Sequence, residues 1–365
     1  MNGESKSVIC DAVEQLYFGS TLMTSIFVSE LITVIISLAL AALLVFAISI
    51  TGALHFNVRL LLICVCAASI ISNIGVMISS VFFIGASFNE NVSERCNELT
   101  FSTSKCVALR RVQSSGALVI TASTIFLALE RLIATCCFRS YENGGRKSIG
   151  FVLTFLLCVT AAPASLHAPP ATHAVYPYCA VAFYNPRQSR DISFALFAVQ
   201  MAAALIFAAL WYQNVKQTRE SDDHRDALTV RYQLRENVNT TRLMIPIVII
   251  NSFFMLACSV VYAVFLPPLT TSLEITSDVL HSIIRYAPIA ESLILLLPAT
   301  TIIFMLLLVL MSIHIRRSVL RLTGLQRFFL PETNTVGPLD HAVAGNYFEQ
   351  LKQQWQLHYS KAGLP

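Results

Sequence analysis

Charge is what this chain has least of. Lys, Arg, Asp and Glu make up 13% of its 365 residues, against roughly one in four in soluble domains. Hydrophobic residues make up 55%. A soluble fold of this length could not hide so much apolar surface, so the chain belongs in a bilayer. Other absences narrow the class. Residues 1–27 have no basic segment leading into an apolar core; Glu4, Asp11 and Glu14 stand there instead. No removable signal peptide is expected, and the first span would act as its own insertion signal. The eight histidines are scattered along the chain with no H-x-x-H cluster, and no Gly-x-Ser-x-Gly occurs. A membrane enzyme would need convergent groups at one depth, so no catalytic, metal or cofactor site is expected. Nor do Gly- or Pro-broken spans recur at matching positions, as a transporter built from inverted repeats would require. The formal charge of +4 is modest, and no nucleic-acid partner is expected.

What is present is a series of apolar runs. Seven are long enough to cross about 30 Å of hydrocarbon at 1.5 Å per residue: Val28–Thr51, Val58–Gly85, Ala108–Cys136, Ser148–His167, Ile192–Gln213, Leu243–Leu266 and Ala287–His314. Pro163, Pro169 and Pro170 punctuate the fourth run, which reads as one span and a loop; Pro267-Pro268 stops the sixth. The expectation is an all-α membrane protein with a seven-helix bundle over 28–314, an extracellular stretch 1–27 and a cytoplasmic tail 315–365. Orientation follows from basic residues. With the N-terminus outside, 17 of the 25 Lys and Arg fall on the cytoplasmic side; the opposite orientation inverts a two-to-one bias. Cysteine use agrees: Cys10, Cys96, Cys106 and Cys179 fall outside, where disulfides persist. Asn91-Val92-Ser93, also outside, is a glycan acceptor triplet, whereas Asn239-Thr240-Thr241 falls inside and is discounted.

Charge inside a span is costly and usually functional. The pair Glu130-Arg131 closes an uncharged stretch running from Val112 to Leu129. Cys106 lies 25 residues before Arg131, about 37 Å along a helix, which puts the two at opposite ends of the third span. Cys179 sits in the sizeable outer loop between spans four and five. A Cys106–Cys179 bond would pin that loop over the bundle mouth, a register found in rhodopsin-like G-protein-coupled receptors; Cys96 is the rival to Cys106, and Cys10 could take the leftover partner.

Three further strings identify the chain as resembling the nematode serpentine chemoreceptors, most closely the epsilon class. Leu129-Glu130-Arg131-Leu132-Ile133-Ala134-Thr135 with Tyr141-Glu142 is similar to the E-R-x-x-A-T…Y-E at the third span's inner end. Arg231-Tyr232-Gln233-Leu234-Arg235-Glu236-Asn237 resembles the R-Y-Q-x-x-E-N leading into span six. Tyr347-Phe348-Glu349-Gln350-Leu351-Lys352-Gln353-Gln354-Trp355 resembles a tail motif Y-F-x-Q-L-x-x-x-W. Residues 1–106 add only hydropathy. The resemblance implies a plasma-membrane receptor of chemosensory neurons, in their cilia, that binds a small-molecule odorant or pheromone and acts through a heterotrimeric G protein. It is not a standard rhodopsin-like receptor: span two offers Asn73 and no acid, span six lacks Cys-Trp-x-Pro, and span seven has Leu297-Pro298-Ala299 in place of Asn-Pro-x-x-Tyr.

Each candidate has two readings. Glu130-Arg131 is an interfacial anchor, or a latch that an intracellular partner opens. Arg231, Arg235 and Arg242 recur at helical spacing and suit a solvated helix extension, a G-protein contact or anionic lipid. His314–Leu330 alternates Arg with apolar residues, as a short amphipathic helix on the inner leaflet would. Cys136-Cys137 is a palmitoylation site or a pair of small packing residues. In the outer half, Arg110, Arg111, Ser114, Arg285 and Glu291 are the candidate ligand-pocket residues. Arg110 and Arg111 are adjacent, roughly 100° apart, and cannot both face inward. A salt bridge from Glu291 to one of them competes with a polar rim for a charged or polar odorant. A ligand-gated seven-helix channel remains the alternative architecture, opposed by the orientation.

Overall fold

The computed structural model describes residues 3–51, 54–136, 147–166, 175–223, 228–267 and 276–325. Chain contacts divide it into Met1–Ser318 and Val319–Pro365. The first unit is almost wholly helical. Its elements are α1 (Gly3–Val13), continued by a π turn over Glu14–Phe18, then α2 (Thr21–Ile50), α3 (Phe56–Ser87), α4 (Val92–Glu98) and α5 (Thr103–Cys136). After these come α6 (Lys147–Leu166), a 3-10 turn over Val181–Phe183, α7 (Pro186–Asp223), α8 (Leu228–Val264) and α9 (Ser277–Met311). Helix α10 (Ile313–Leu322) begins in this unit. By length and composition, six of the helices (α2, α3, α5, α7, α8 and α9) can cross a membrane. The 20-residue α6 holds a shorter apolar stretch over Ser148–Thr160 and stands where the fourth span is expected. Helices are what this composition must form, because lipid offers the backbone no hydrogen-bond partner.

The helices run past the hydropathy boundaries. α2 starts at Thr21 rather than Val28, and α7 continues to Asp223, well beyond Gln213. Hydropathy marks where lipid ends, whereas helix ends depend on caps and loops; α7 gains charged turns running into water, while α2 gains an uncharged turn that packs into the bundle. Pro246, Pro288 and Pro298 lie inside α8 and α9. Neighbouring helices can supply the backbone partners that such prolines remove. The N-terminal stretch is itself ordered: Val13, Leu16 and Tyr17 are buried in a core that also holds Phe27, Phe83, Phe101, Tyr178 and Tyr286.

Helix α5 is the hub, packing against α3, α6, α7 and α8, while α2 bridges α3 and α9. Two glycines let α3 and α5 approach closely. A Cβ on Gly116 would stand 2.5 Å from the Ser72 amide nitrogen, and one on Gly75 would stand 2.2 Å from that of Gln113. Small residues at such crossings permit the van der Waals contact that holds membrane helices together. Gly116→Val should therefore lower stability by more than the ~1–3 kcal/mol of ordinary overpacking, read as loss of surface delivery and of thermal stability in detergent. Gly85→Ala, with nothing within 4 Å of its Cβ position, is the matching control and should behave as wild type.

Helix α10 opens at Ser312, whose Oγ accepts the Ile315 amide at 3.3 Å. It ends where Gly324 adopts a φ of 71°, the left-handed conformation common just past a helix C-terminus. Ile315 is buried and Arg316 and Arg317 are exposed, a one-sided pattern. The expected continuation to Leu330, the tail motif at 347–355, Cys137 and Tyr141-Glu142 all lie outside the described residues.

Candidate functional site

Buried charge concentrates at the two ends of α5. At one end Glu130 and Arg131 are 0% and 2% exposed. Although neighbours on a helix diverge, both side chains swing together: Arg131 Nε and Nη2 donate to the two Glu130 oxygens at 2.5 and 2.7 Å. A forked pair of this kind is among the strongest hydrogen-bonded ion pairs, and burial strengthens it further. Arg131 Nη1 also donates to Asn237 Oδ1 on α8 at 3.4 Å. Two strings that sequence treats as separate, Glu130-Arg131 and Arg231–Asn237, thus meet in one clamp between α5 and α8. Arg235 and Arg242 are exposed on α8; Arg231 lies on the same helix, but its side chain is outside the described ones.

At the opposite end the chain is stapled twice. Cys106 bonds Cys179 and Cys10 bonds Cys96, with Cα separations of 5.2 and 5.3 Å. The first bond ties the segment before α7 to the start of α5. That segment is also held by paired amide bonds between Phe101 and Tyr176, at 2.9 and 3.0 Å, and by the Tyr184 hydroxyl donating to Phe101 O at 3.2 Å. Burial pushes the Tyr176 and Tyr184 phenols up from their ordinary value. Asn91 is exposed just before α4.

Beneath this cover lies a cavity of about 360 Å³ between α5, α7, α8 and α9. That is room for a small molecule. Its walls are mainly apolar, with Tyr262 and Tyr286 on one side and the Tyr178–Ala182 segment above. Arg110, Gln113 and Ser114 line it from α5. Among the described residues its lining holds no carboxylate and one guanidinium, that of Arg110.

Arg110, 5% exposed, donates through Nη2 to Glu291 Oε1 and through Nη1 to Gln113 Oε1 at 3.2 Å. Its guanidinium also faces the Phe83 ring at 5.5 Å. Arg110 and Glu291 are thus brought together, whereas Arg111 and Arg285 are exposed and do not line the cavity. Behind the pair stands a residue that sequence reasoning passes over. Glu30 on α2 is fully buried, accepts the Ser80 hydroxyl at 2.6 Å and lies within hydrogen-bonding reach of Glu291. The signal was available: a lone acid inside an apolar span is itself a functional pointer. Tyr17, from the N-terminal π turn, faces the same cluster; burial, with Glu291 adding to it, pushes its phenol far up.

Residues 7–356 match the family described as serpentine type 7TM GPCR receptor class ab chemoreceptor. Serpentine receptor class alpha/beta-14 of Caenorhabditis elegans is 24% identical over 328 residues, covering 84% of this chain and 79% of that relative. The nematode serpentine assignment stands, and the epsilon class is corrected to class ab. The strings that suggested epsilon are short words at helix ends and in the tail, too few to separate sister classes, whereas the match also draws on the first hundred residues, where no motif was legible. The chain is a multi-pass membrane protein of the class ab serpentine chemoreceptor family.

Proposed function

We propose that this protein is a chemosensory receptor of the plasma membrane, with its N-terminus outside. It binds a small molecule in the cavity beneath the Cys106–Cys179 staple and signals through a heterotrimeric G protein at the opposite end. The observation that carries the reading is the arrangement on α5. One helix lines the cavity with Arg110 and, 21 residues and about 31 Å further on, holds the buried clamp of Glu130, Arg131 and Asn237. A ligand that favours one packing of the cavity shifts the helix that carries the clamp, which is the differential contact a population shift requires. Arg231 and Arg235 on α8 would then meet the G protein or the anionic inner leaflet, and Asn91 would carry a glycan. Sensory cilia are the fitting location.

The test is a G-protein activation readout in transfected cells, screened against volatile and soluble metabolites. Ala117 lines the cavity from α5. Ala117→Phe, filling that space, should reduce the potency of any agonist found by about tenfold or more at unchanged surface level. Undiminished potency would place the ligand elsewhere, and ligand-evoked current without a G protein would overturn the receptor reading.

A further inference from the structure

The groups around Arg110 do not balance. Two carboxyl groups, Glu30 and Glu291, are 0% exposed and within reach of each other, and among the described residues the one guanidinium facing them is that of Arg110, paired with Glu291. The other titratable groups facing the cluster are phenols: Tyr17 before α2, Tyr178 above the cavity, Tyr262 on α8 and Tyr286 on α9. Phenols ordinarily titrate near 10; burial pushes those of Tyr17 and Tyr178 up further, so they stay neutral. α3 contributes Ser80, which has no charge. Two acids buried beside one cation would leave an excess charge, which in hydrocarbon is too costly to leave standing. Charge balance therefore calls for one proton between the two acids beside the one guanidinium. Four polar atoms of the cluster are buried without a hydrogen-bond partner among the described residues: Glu30 Oε1, Glu291 Oε2, Arg110 Nε and the Tyr17 hydroxyl. The first two are acceptors where a proton can sit, and the third is a donor on a side chain that lines the cavity.

We propose that the cavity takes an organic acid, whose anionic head binds the Arg110 guanidinium while one proton joins the Glu30–Glu291 pair. This rests on the receptor reading above and adds the ligand's class. Among the described residues the cavity wall offers a cation and no anion, so an amine finds no counter-charge there, and an acid finds one. The apolar and tyrosine-lined remainder suits an aliphatic or phenyl body. The balance closes: an acid R–COOH gives up its O–H proton, which forms an O–H on Glu291 or Glu30, and its carboxylate pairs with Arg110. The site holds no more net charge bound than empty. Entering as the anion, the ligand draws the same proton from solvent. Binding of the anion is thereby linked to uptake of one proton, so affinity rises as pH falls.

The experiment uses purified full-length receptor in lipid nanodiscs, with binding read by competition and by thermal shift. Probes are straight-chain acids from hexanoic to decanoic acid, phenylalkanoic acids, the matching alcohols, methyl esters and amines, and octanesulfonate. Acids should outbind their alcohols and esters, and affinity for the acids should rise about tenfold per unit fall in pH above the ligand's own pKa. Octanesulfonate stays an anion throughout, so the same slope with it puts the proton on the protein. Arg110→Gln should abolish the preference for acids. Should that variant fail to fold, Arg110→Gln/Glu291→Gln removes the pair together, and it should bind acids no better than alcohols and show no pH slope. Acids no better than alcohols, no binding by any acid, or a slope absent with the sulfonate would each overturn the proposal. Activation of G protein by alcohols or amines but not acids would overturn it while leaving the receptor reading in place.

Discussion

At matched surface level, Arg131→Ala should abolish activation of a G protein, and because it strands the buried Glu130 its delivery to the surface should fall. The side chain is 2% exposed, so the partner reaches it only when α5 and α8 part. In the closed bundle it satisfies both Glu130 oxygens and takes Asn237 across the helix gap. Removing the guanidinium deletes the cation that an opened clamp would present. Agonist-stimulated activation should fall by about a hundredfold or more, equivalent to roughly 3 kcal/mol of coupling. Asn237→Ala removes the Arg131–Asn237 bond to α8 and leaves the Glu130–Arg131 fork whole, and should raise basal activity instead. Surface labelling beside a nucleotide-exchange assay separates the two. Normal agonist response in Arg131→Ala would reduce the pair to an interfacial anchor.

Much of this architecture is legible in sequence because lipid leaves so few options. A run of about twenty apolar residues must become a helix, and hydropathy finds all seven. Cys106 and Arg131 set the register of α5 because rise per residue is fixed. What hydropathy misses is everything decided by side chains meeting across the bundle. Residues 1–27 read as a plain outer segment because α1 and the π turn bury only a few residues each, with no periodic run long enough to stand out. Asn237 gives no sign in sequence that it touches Arg131, 106 positions away. Adjacency shows that Arg110 and Arg111 cannot both face inward, but choosing between them needs the rotation of α5, which its packing against α3, α6, α7 and α8 supplies. Glu30 is different: it stands in plain view inside the first span, and the rule that singles out Glu130 and Glu291 applies to it equally.

The double substitution Glu30→Gln/Glu291→Gln should fail to reach the surface, although each single change is tolerated. Either carboxylate alone leaves one anion facing one guanidinium. Glu291 is the direct partner of Arg110. Glu30 stands behind it, near enough to act on Arg110 electrostatically, so it takes over when Glu291 becomes Gln. With both gone, Arg110 is a buried cation whose remaining partner is the neutral Gln113. Breaking a buried pair by deleting one sign typically costs about 3–5 kcal/mol, a large share of the 5–15 kcal/mol that folded domains possess. Adding Arg110→Gln to the double variant removes the stranded charge and should restore surface delivery, a reversal that lost packing could not produce. A cell-permeant organic acid in the medium should restore it too, because its carboxylate supplies the missing anion at Arg110. Surface biotinylation of the single, double and triple variants, with and without octanoate, reads all of these outcomes. Equal delivery of the double variant and wild type would mean that Arg110 reaches water or lipid headgroups, and that its charge does not depend on these two acids.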